Sequence, residues 1–270
     1  MKLALAQMTS TADRAANVEA ARGFCLEAAR GGADLVALPE NAFHLRSEGE
    51  RVLEPAPLAG PLIGEFRALA RQQGIWLLLG SVPEPAPAAG GKVFNTSVLI
   101  DRAGQLAAIY RKIHLFDIAM PNGPVLRESD SVAGGEEVVV VETEFGAAGL
   151  SICYDLRFPE LYRRQARLGA RLLFAPSAFT AKTGEMHWHL LCRARAVENQ
   201  CFVIAPAQWG RHSETRQSYG HSLVVDPWGK VVAEKADGTG LLWYEPDLSE
   251  IDRFRAALPA LSGRKPWLGG

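Results

Sequence analysis

The sequence predicts an α/β fold with more than one sheet, and three observations carry that prediction. Short apolar runs alternate with longer amphipathic stretches through the first three quarters of the 270 residues. The amphipathic stretches are punctuated as helices, with aspartate or proline at their starts and glycine at their ends. The composition, 48% hydrophobic and 22% charged, is that of a chain able to bury a large core.

Each element has its own justification. Residues 2–7 read as a strand, because the apolar stretch stops at Gln7, before a signal-peptide core of ~7–15 residues could form. Residues 13–30 place Val18, Ala21, Cys25 and Ala28 on one helical stripe that stops at Gly31-Gly32. A buried strand at 34–38, a helix at 61–73 opened by Pro61 and closed by Gly74, and a strand at 75–81 make the opening phrase βαβαβ. The Pro-, Ala- and Gly-rich stretch 83–91 separates this unit from strands at 93–100 and 106–111, which flank the turn Asp101-Arg102-Ala103-Gly104. Residues 117–135 show no period and are expected to form a long functional loop. Apolar runs at 138–142 and 147–152, a helix at 159–168, a strand at 172–175 and a helix from about Glu185 to Glu198 repeat the alternation. Strands at 202–207, 222–225, 231–233 and 241–244 follow, with Asp226-Pro227-Trp228-Gly229 as a turn. The tail beyond Asp247 is partly helical, and Trp267 is expected to pack on a neighbouring subunit or on the chain's own body. No linker divides the chain, so 1–270 is expected to be one domain with helices outside its sheets.

Charge and composition narrow the function. Lysine and arginine total 29 against 30 acids, a net charge of -1, so no nucleic acid partner is expected. The most apolar run, 75–80, is far short of the ~20 residues of a spanning helix, so no membrane partner is expected either. The cysteines Cys25, Cys153, Cys192 and Cys201 show neither disulfide-scaffold density nor CxxC spacing, and a reducing, cytoplasmic setting is the expectation. His187 and His189, with His212 and His221 elsewhere, form neither an HExxH pair nor a compact zinc set. Nor is there a GxSxG elbow, a GxGxxG fingerprint or a Walker loop, and no metal or cofactor is expected.

Three reactive side chains, Glu40, Lys112 and Cys153, fall where apolar runs meet loops, the edge at which α/β proteins expose functional groups. Singly, each has a plainer reading. Cys153 reads as an inert buried thiol like the other cysteines, and the two charges read as solvated strand ends. Together they supply the roles that acyl transfer by a thiol requires. Glu40 would take the thiol proton and return it to the leaving amine, while Lys112 and the backbone N–H of Tyr154 would receive the oxyanion.

The runs that hold them, LPE at 38–40, YRKIHLFD at 110–117 and ICYDLRFPE at 152–160, resemble the three signatures of the nitrilase, or carbon–nitrogen hydrolase, superfamily. The likeness continues through PSAF at 176–179, RARAVEN at 193–199, GHS at 220–222 and DPWG at 226–229. The resemblance implies an αββα sandwich of two mixed sheets with outer helices, pairing through helices into a homodimer or higher homo-oligomer. It implies metal-free hydrolysis of a small non-peptide amide through a thioester, with Glu40 as base, Lys112 as electrophilic stabiliser and Cys153 as nucleophile. A second glutamate beside the lysine is matched to Glu128, with Glu136 and Glu137 as rivals. Within the superfamily, AQWGRH at 207–212 and RQSYGHS at 216–222 resemble the deaminated-glutathione amidase branch, with the ω-amidase branch, acting on 2-oxoglutaramate, second. Both take anionic keto acids, for which Arg211 and Arg216 are candidate carboxylate contacts, with Ser177 and Phe179 as further pocket residues. A reading from another class keeps the fold as a non-catalytic binding or scaffold protein. The pairs Asp155 with Arg157 and Glu198 with Arg195 read as structural ion pairs or helix caps.

Overall fold

The computed structural model describes residues 1–46, 55–119, 125–263 and 265. It opens with β1 (Leu3–Gln7), α1 (Arg14–Arg30), β2 (Leu35–Ala37), α2 (Pro61–Gln73) and β3 (Trp76–Pro85), the expected βαβαβ unit. Asp13 caps α1 by accepting the Ala16 N–H at 3.0 Å, and Gly74 closes α2 in the left-handed region at φ 64°. There follow β4 (Val93–Ile100), β5 (Leu106–Arg111), β6 (Asp117–Ala119), β7 (Val125–Arg127), β8 (Val132–Ala133), β9 (Val140–Val141), β10 (Ala148–Leu150), α3 (Pro159–Arg167) and β11 (Leu172–Phe174). Then come α4 (Ala181–Asn199), β12 (Phe202–Ala205), β13 (Trp209–Arg211), β14 (Gln217–Tyr219), β15 (Ser222–Val225), β16 (Val231–Lys235), β17 (Gly240–Tyr244) and α5 (Ser249–Ala257).

Two mixed sheets result. One runs β17-β1-β2-β3-β4-β5 with β8 added against β4, and the other runs β16-β15-β12-β11-β10-β9. Strand alternation decides which layer each side chain joins. Ala4, Ala6, Val36, Leu77 and Leu79 pack with Ala21 and Cys25 of α1 and Ile63 and Phe66 of α2. Their neighbours Leu3, Leu5, Leu35 and Leu78 turn the other way and share a core with Leu172, Phe174, Phe202 and Ile204 of the second sheet. Gly149 of β10 lies against Gln165 of α3, so the helices α3 and α4 cover the far side of that sheet. The layers are therefore helix, sheet, sheet, helix. Both faces of each central strand are buried, which is why the strands read as continuous apolar runs.

Four segments depart from expectation. β3 runs on to Pro85, because beyond Leu78 it has lost its pairing with β2 and its prolines sit on an unpaired side. The segment 117–135 is not simply a loop: β6 and β7 form a hairpin in which Asp117 faces Arg127. α4 begins one turn early, at Ala181, where Gly184 packs on the Tyr219 ring instead of offering an apolar side chain to read. β13 and β14 pair in a stretch with no alternating pattern. Trp267 lies outside the described residues. Among the described residues no helix is long and apolar enough to cross a membrane.

Candidate active site

The ends of β2, β5 and β10 converge on one buried cluster. After β2 the chain continues Leu38-Pro39-Glu40, and β3 passes so close that a Cβ on Gly80 would stand 2.2 Å from the Leu38 oxygen and 2.3 Å from the Pro39 oxygen. Only glycine permits that approach. Asn41, at φ 56°, then turns the chain, its N–H held by Ser81 Oγ at 2.8 Å, and the Glu40 side chain is left buried. Gln208 holds the same turn by donating from Nε2 to the Glu40 carbonyl at 3.0 Å.

Lys112 follows β5. Its Nζ donates to Glu40 Oε1 at 3.0 Å and to Glu128 at 2.9 Å (Oε2) and 3.2 Å (Oε1). Asn95 of β4 donates to the same two carboxylates, at 3.0 Å to Glu40 Oε1 and 3.2 Å to Glu128 Oε1. The Phe116 N–H reaches Glu128 Oε2 at 2.7 Å, and the Ala178 N–H reaches Glu40 Oε2 at 2.9 Å. Burial pulls the Lys112 ammonium down, but Glu128 and Glu40 overcome it and hold the group well above the ordinary lysine value. Burial pushes Glu128 up, and the Lys112 charge with the Phe116 N–H brings it below the usual carboxylate value. Glu136 and Glu137 are exposed, so of the three glutamates it is Glu128 that stands on Lys112.

Cys153 sits at the left-handed φ of 49°, opening a single 3-10 turn, Cys153–Arg157. Such a conformation costs of order 1–3 kcal/mol for a residue with a Cβ and persists only where neighbours impose it. Here the Cys153 N–H bonds the Pro176 carbonyl at 3.0 Å, and Asp155 Oδ2 accepts the Ile152 N–H at 2.9 Å. Asp155 also takes the Tyr110 hydroxyl at 2.7 Å and both the N–H and Nδ1 of His114, at 3.1 Å and 2.7 Å, so one carboxylate joins the cysteine turn to the lysine segment. Burial pushes the Cys153 thiol well above its ordinary value, the nearby Glu40 carboxylate adds to this, and Lys112 opposes it. These surroundings favour the thiol over the thiolate at rest. The cluster offers a nucleophile, a carboxylate beside it and a fixed cation, the requirements for acyl transfer with a base engaged during attack.

The remaining sequence candidates divide. Arg216 is half-buried, donates to the Arg46 carbonyl at 3.0 Å, and lies in the electrostatic field of Glu40, Cys153 and Glu128. Arg211 is exposed and its guanidinium rests on the Glu214 carbonyl at 3.3 Å. Ser177 is buried with its hydroxyl donated to the Ala175 carbonyl at 2.9 Å. Phe179 packs 5.1 Å from the Trp188 ring with the Arg157 guanidinium 5.4 Å above it. Tyr154 sets its ring edge-on to Phe116 and Phe158, at 5.1 Å and 5.5 Å. The supposed Asp155–Arg157 pair gives way to Asp155 with Tyr110 and His114, because the turn points the two side chains apart in role: Arg157 lies over the Tyr154 and Phe179 rings. Glu198 does pair with Arg195, at 2.7 Å. The sequence reading missed Asn95 and Gln208 and gave Asp155 and His212 other roles. The one signal for Asn95 was a polar residue early in an apolar run. His212 gives Nδ1 to the Ser10 carbonyl at 2.8 Å, and its buried Nε2 has no hydrogen-bond partner among the described residues.

Comparison with known proteins places this architecture. The carbon-nitrogen hydrolase family model matches residues 2–256. The deaminated glutathione amidase of Mus musculus is 46% identical over 272 residues, covering 99% of this chain and 84% of the relative. Among solved structures, the Caenorhabditis elegans NitFhit protein has a TM-score of 0.91 at 40% identity, covering 100% of this chain and 66% of that chain. A variant of the amidase from Nesterenkonia sp. AN1, solved with the acetamide moiety of fluoroacetamide added covalently at its active-site cysteine, has a TM-score of 0.79 at 26% identity, covering 99% of this chain and 95% of that one. With a family match spanning nearly all its length and a fold shared with solved members, the chain belongs to the carbon–nitrogen hydrolase family.

Proposed function

We propose that this chain is a cysteine-dependent amidase acting on deaminated glutathione, cleaving the amide between its keto-acid half and cysteinylglycine. The carrying observation is the buried Lys112 held between Glu40 and Glu128 with the Cys153 thiol in the field of both Lys112 and Glu40. The activity named for the Mus musculus relative supports the substrate, and the acylated cysteine of the Nesterenkonia amidase supports the nucleophile.

The chemistry follows from the positions. Glu40 takes the thiol proton as Sγ attacks the amide carbonyl carbon, and the developing oxyanion meets the Lys112 ammonium and the Tyr154 N–H. The tetrahedral intermediate collapses as Glu40 returns the proton to the departing nitrogen, leaving a thioester on Cys153. Water, deprotonated by Glu40, attacks the thioester, and the thiol recovers its proton as the keto diacid leaves. Glu128 keeps Lys112 charged and in place. Arg216, which keeps one guanidinium nitrogen on the Arg46 carbonyl, meets the substrate carboxylate with its remaining donors. The enzyme works in the cytoplasm as a homodimer joined through α4, whose outer stripe of Met186, Leu190 and Val197 is exposed. Light scattering on Leu190→Asp, expected to be monomeric, checks that assembly.

The activity test compares deaminated glutathione, 2-oxoglutaramate and a neutral amide on purified protein, with Cys153→Ala as control. Release of cysteinylglycine at higher kcat/KM than ammonia from 2-oxoglutaramate is expected. Ammonia from 2-oxoglutaramate alone would move the protein to ω-amide hydrolysis. No product from any amide would make it a binding protein.

A further inference from the structure

A second cluster of chemically competent side chains stands apart from Glu40, Lys112 and Cys153. His189 from the middle of α4, His221 from the bend before β15 and Glu234 of β16 bring three ligand atoms within 4.8 Å of one another. His189 Nε2 lies 2.8 Å, and His221 Nδ1 2.6 Å, from the same carboxylate oxygen, Glu234 Oε1. The histidines are 45 and 13 residues from that glutamate, which is why spacing along the chain shows no metal set. We propose that His189, His221 and Glu234 form a surface site for one divalent transition-metal ion of the Zn²⁺ type.

The donor set is the first argument. Two imidazoles and one carboxylate suit zinc and its neighbours, and a three-ligand set leaves a position open to water. Geometry is the second. Metal bonds of about 2.0–2.2 Å in a tetrahedron put ligand atoms roughly 3.3 Å apart. From the contacts above, Oε1 needs to retreat by well under ~1 Å, a small torsion of an exposed glutamate. The third argument is that the rings are already fixed. His221 holds φ 56°, with its N–H on the Ala236 carbonyl at 3.1 Å and its carbonyl receiving Trp188 Nε1 at 2.8 Å. Its ring stacks on Tyr219 at 4.2 Å, and the His189 ring stands edge-on to His221 at 5.1 Å. Such prior ordering of ligand rings is what metal sites elsewhere obtain from the partners around them.

Without metal both facing nitrogens donate to Oε1. A metal ion takes lone pairs on those same nitrogens when each imidazole carries its proton on the far nitrogen instead, so binding requires tautomer exchange. Bound there, the ion would clip α4 to β16 and to the start of β15, the outer helix to the sheet beneath it, and so raise the melting temperature.

The test uses tag-free, chelator-treated protein titrated with Zn²⁺ against a chromophoric chelator, and with Co²⁺ by visible absorption. One equivalent of metal, the intense d–d bands of four-coordinate Co²⁺ and a Zn²⁺-dependent rise in melting temperature are expected. His189→Gln and Glu234→Gln should each weaken binding about 100-fold with unchanged circular dichroism, by loss of a ligand. Cys153→Ser, which removes the competing catalytic thiol, should leave binding intact. Equal affinity in wild type and both ligand variants, loss of the metal in Cys153→Ser, or no saturable binding at millimolar metal would each overturn the site.

Discussion

Asp155→Asn is an isosteric change at a fully buried carboxylate that accepts from the Tyr110 hydroxyl and Ile152 N–H on one oxygen and from the N–H and Nδ1 of His114 on the other. An amide keeps one acceptor oxygen and turns the other position into a donor. On either side the side-chain partner can adapt, since the Tyr110 hydroxyl can rotate to accept and the His114 ring can change tautomer. A backbone N–H cannot. Whichever way the amide sits, the N–H of Ile152 or of His114 faces another donor. An unpaired buried donor costs ~1–3 kcal/mol, and each bond to a charged acceptor is worth ~1.5–3 kcal/mol, so a net destabilisation of about 2–5 kcal/mol is expected. For a domain of this size that lowers the melting temperature by roughly 5–15 °C. Ile152 adjoins Cys153 and His114 lies just past Lys112, so the same change loosens nucleophile and cation together. A misplacement of about 1 Å in such a site costs on the order of 100-fold in rate. Because Asp155 holds these groups without touching substrate, kcat should fall by about that factor while KM barely moves, measured by product release well below the melting temperature. A variant that melts like wild type would refute the hydrogen-bond reasoning. One that melts early yet turns over normally would refute the positional coupling.

Further expectations follow from neighbouring features. Burial pushes His212 from 6.5 down to about 4. Its folded value lies below its unfolded one, so its contribution to stability is full above pH ~6.5 and is lost as pH falls toward ~4, in all about 3 kcal/mol. Urea midpoints of wild type should therefore drop between about pH 7 and about pH 5, and His212→Gln should flatten that drop; parallel pH profiles would exclude the mechanism. Gly80→Ala must drive apart β3 and the Leu38-Pro39 backbone, so at least a ~100-fold loss of kcat is expected with Glu40 displaced; a wild-type kcat would show that the close approach is dispensable. Arg216→Ala should raise KM for keto-acid amides about tenfold or more and leave neutral amides unaffected, whereas Arg211→Ala should do neither; equal effects of the two variants on keto-acid amides would remove Arg216 from carboxylate recognition.

What could be read along the chain and what could not have a common physical basis. The βαβαβ unit, the helix 61–73 and the strand 93–100 were legible because capping residues and apolar period act over a few neighbours. Glu40, Lys112 and Cys153 were legible for a related reason: each ends an apolar run, and sheet topology sends such ends to one edge. The groups that hold them together were not. Asn95 stands at the cluster because β4 and β5 pair in a register that bonds the Lys112 N–H to the Asn95 carbonyl at 2.9 Å, and nothing within either strand records that register. Asp155 sits inside the cysteine signature, yet its role comes from His114, 41 residues earlier, so its sequence neighbour Arg157 looked like the partner. Glu40 depends on the Ala178 N–H across 138 residues and on Lys112 across 72. His189, His221 and Glu234 follow the same rule at the surface, where a helix packs on a sheet edge and only the fold brings their side chains together. Local propensity decides where a reactive group is offered. Long-range register decides what it meets, and that second step surrounds Cys153 with the burial and the Glu40 carboxylate that favour its thiol form.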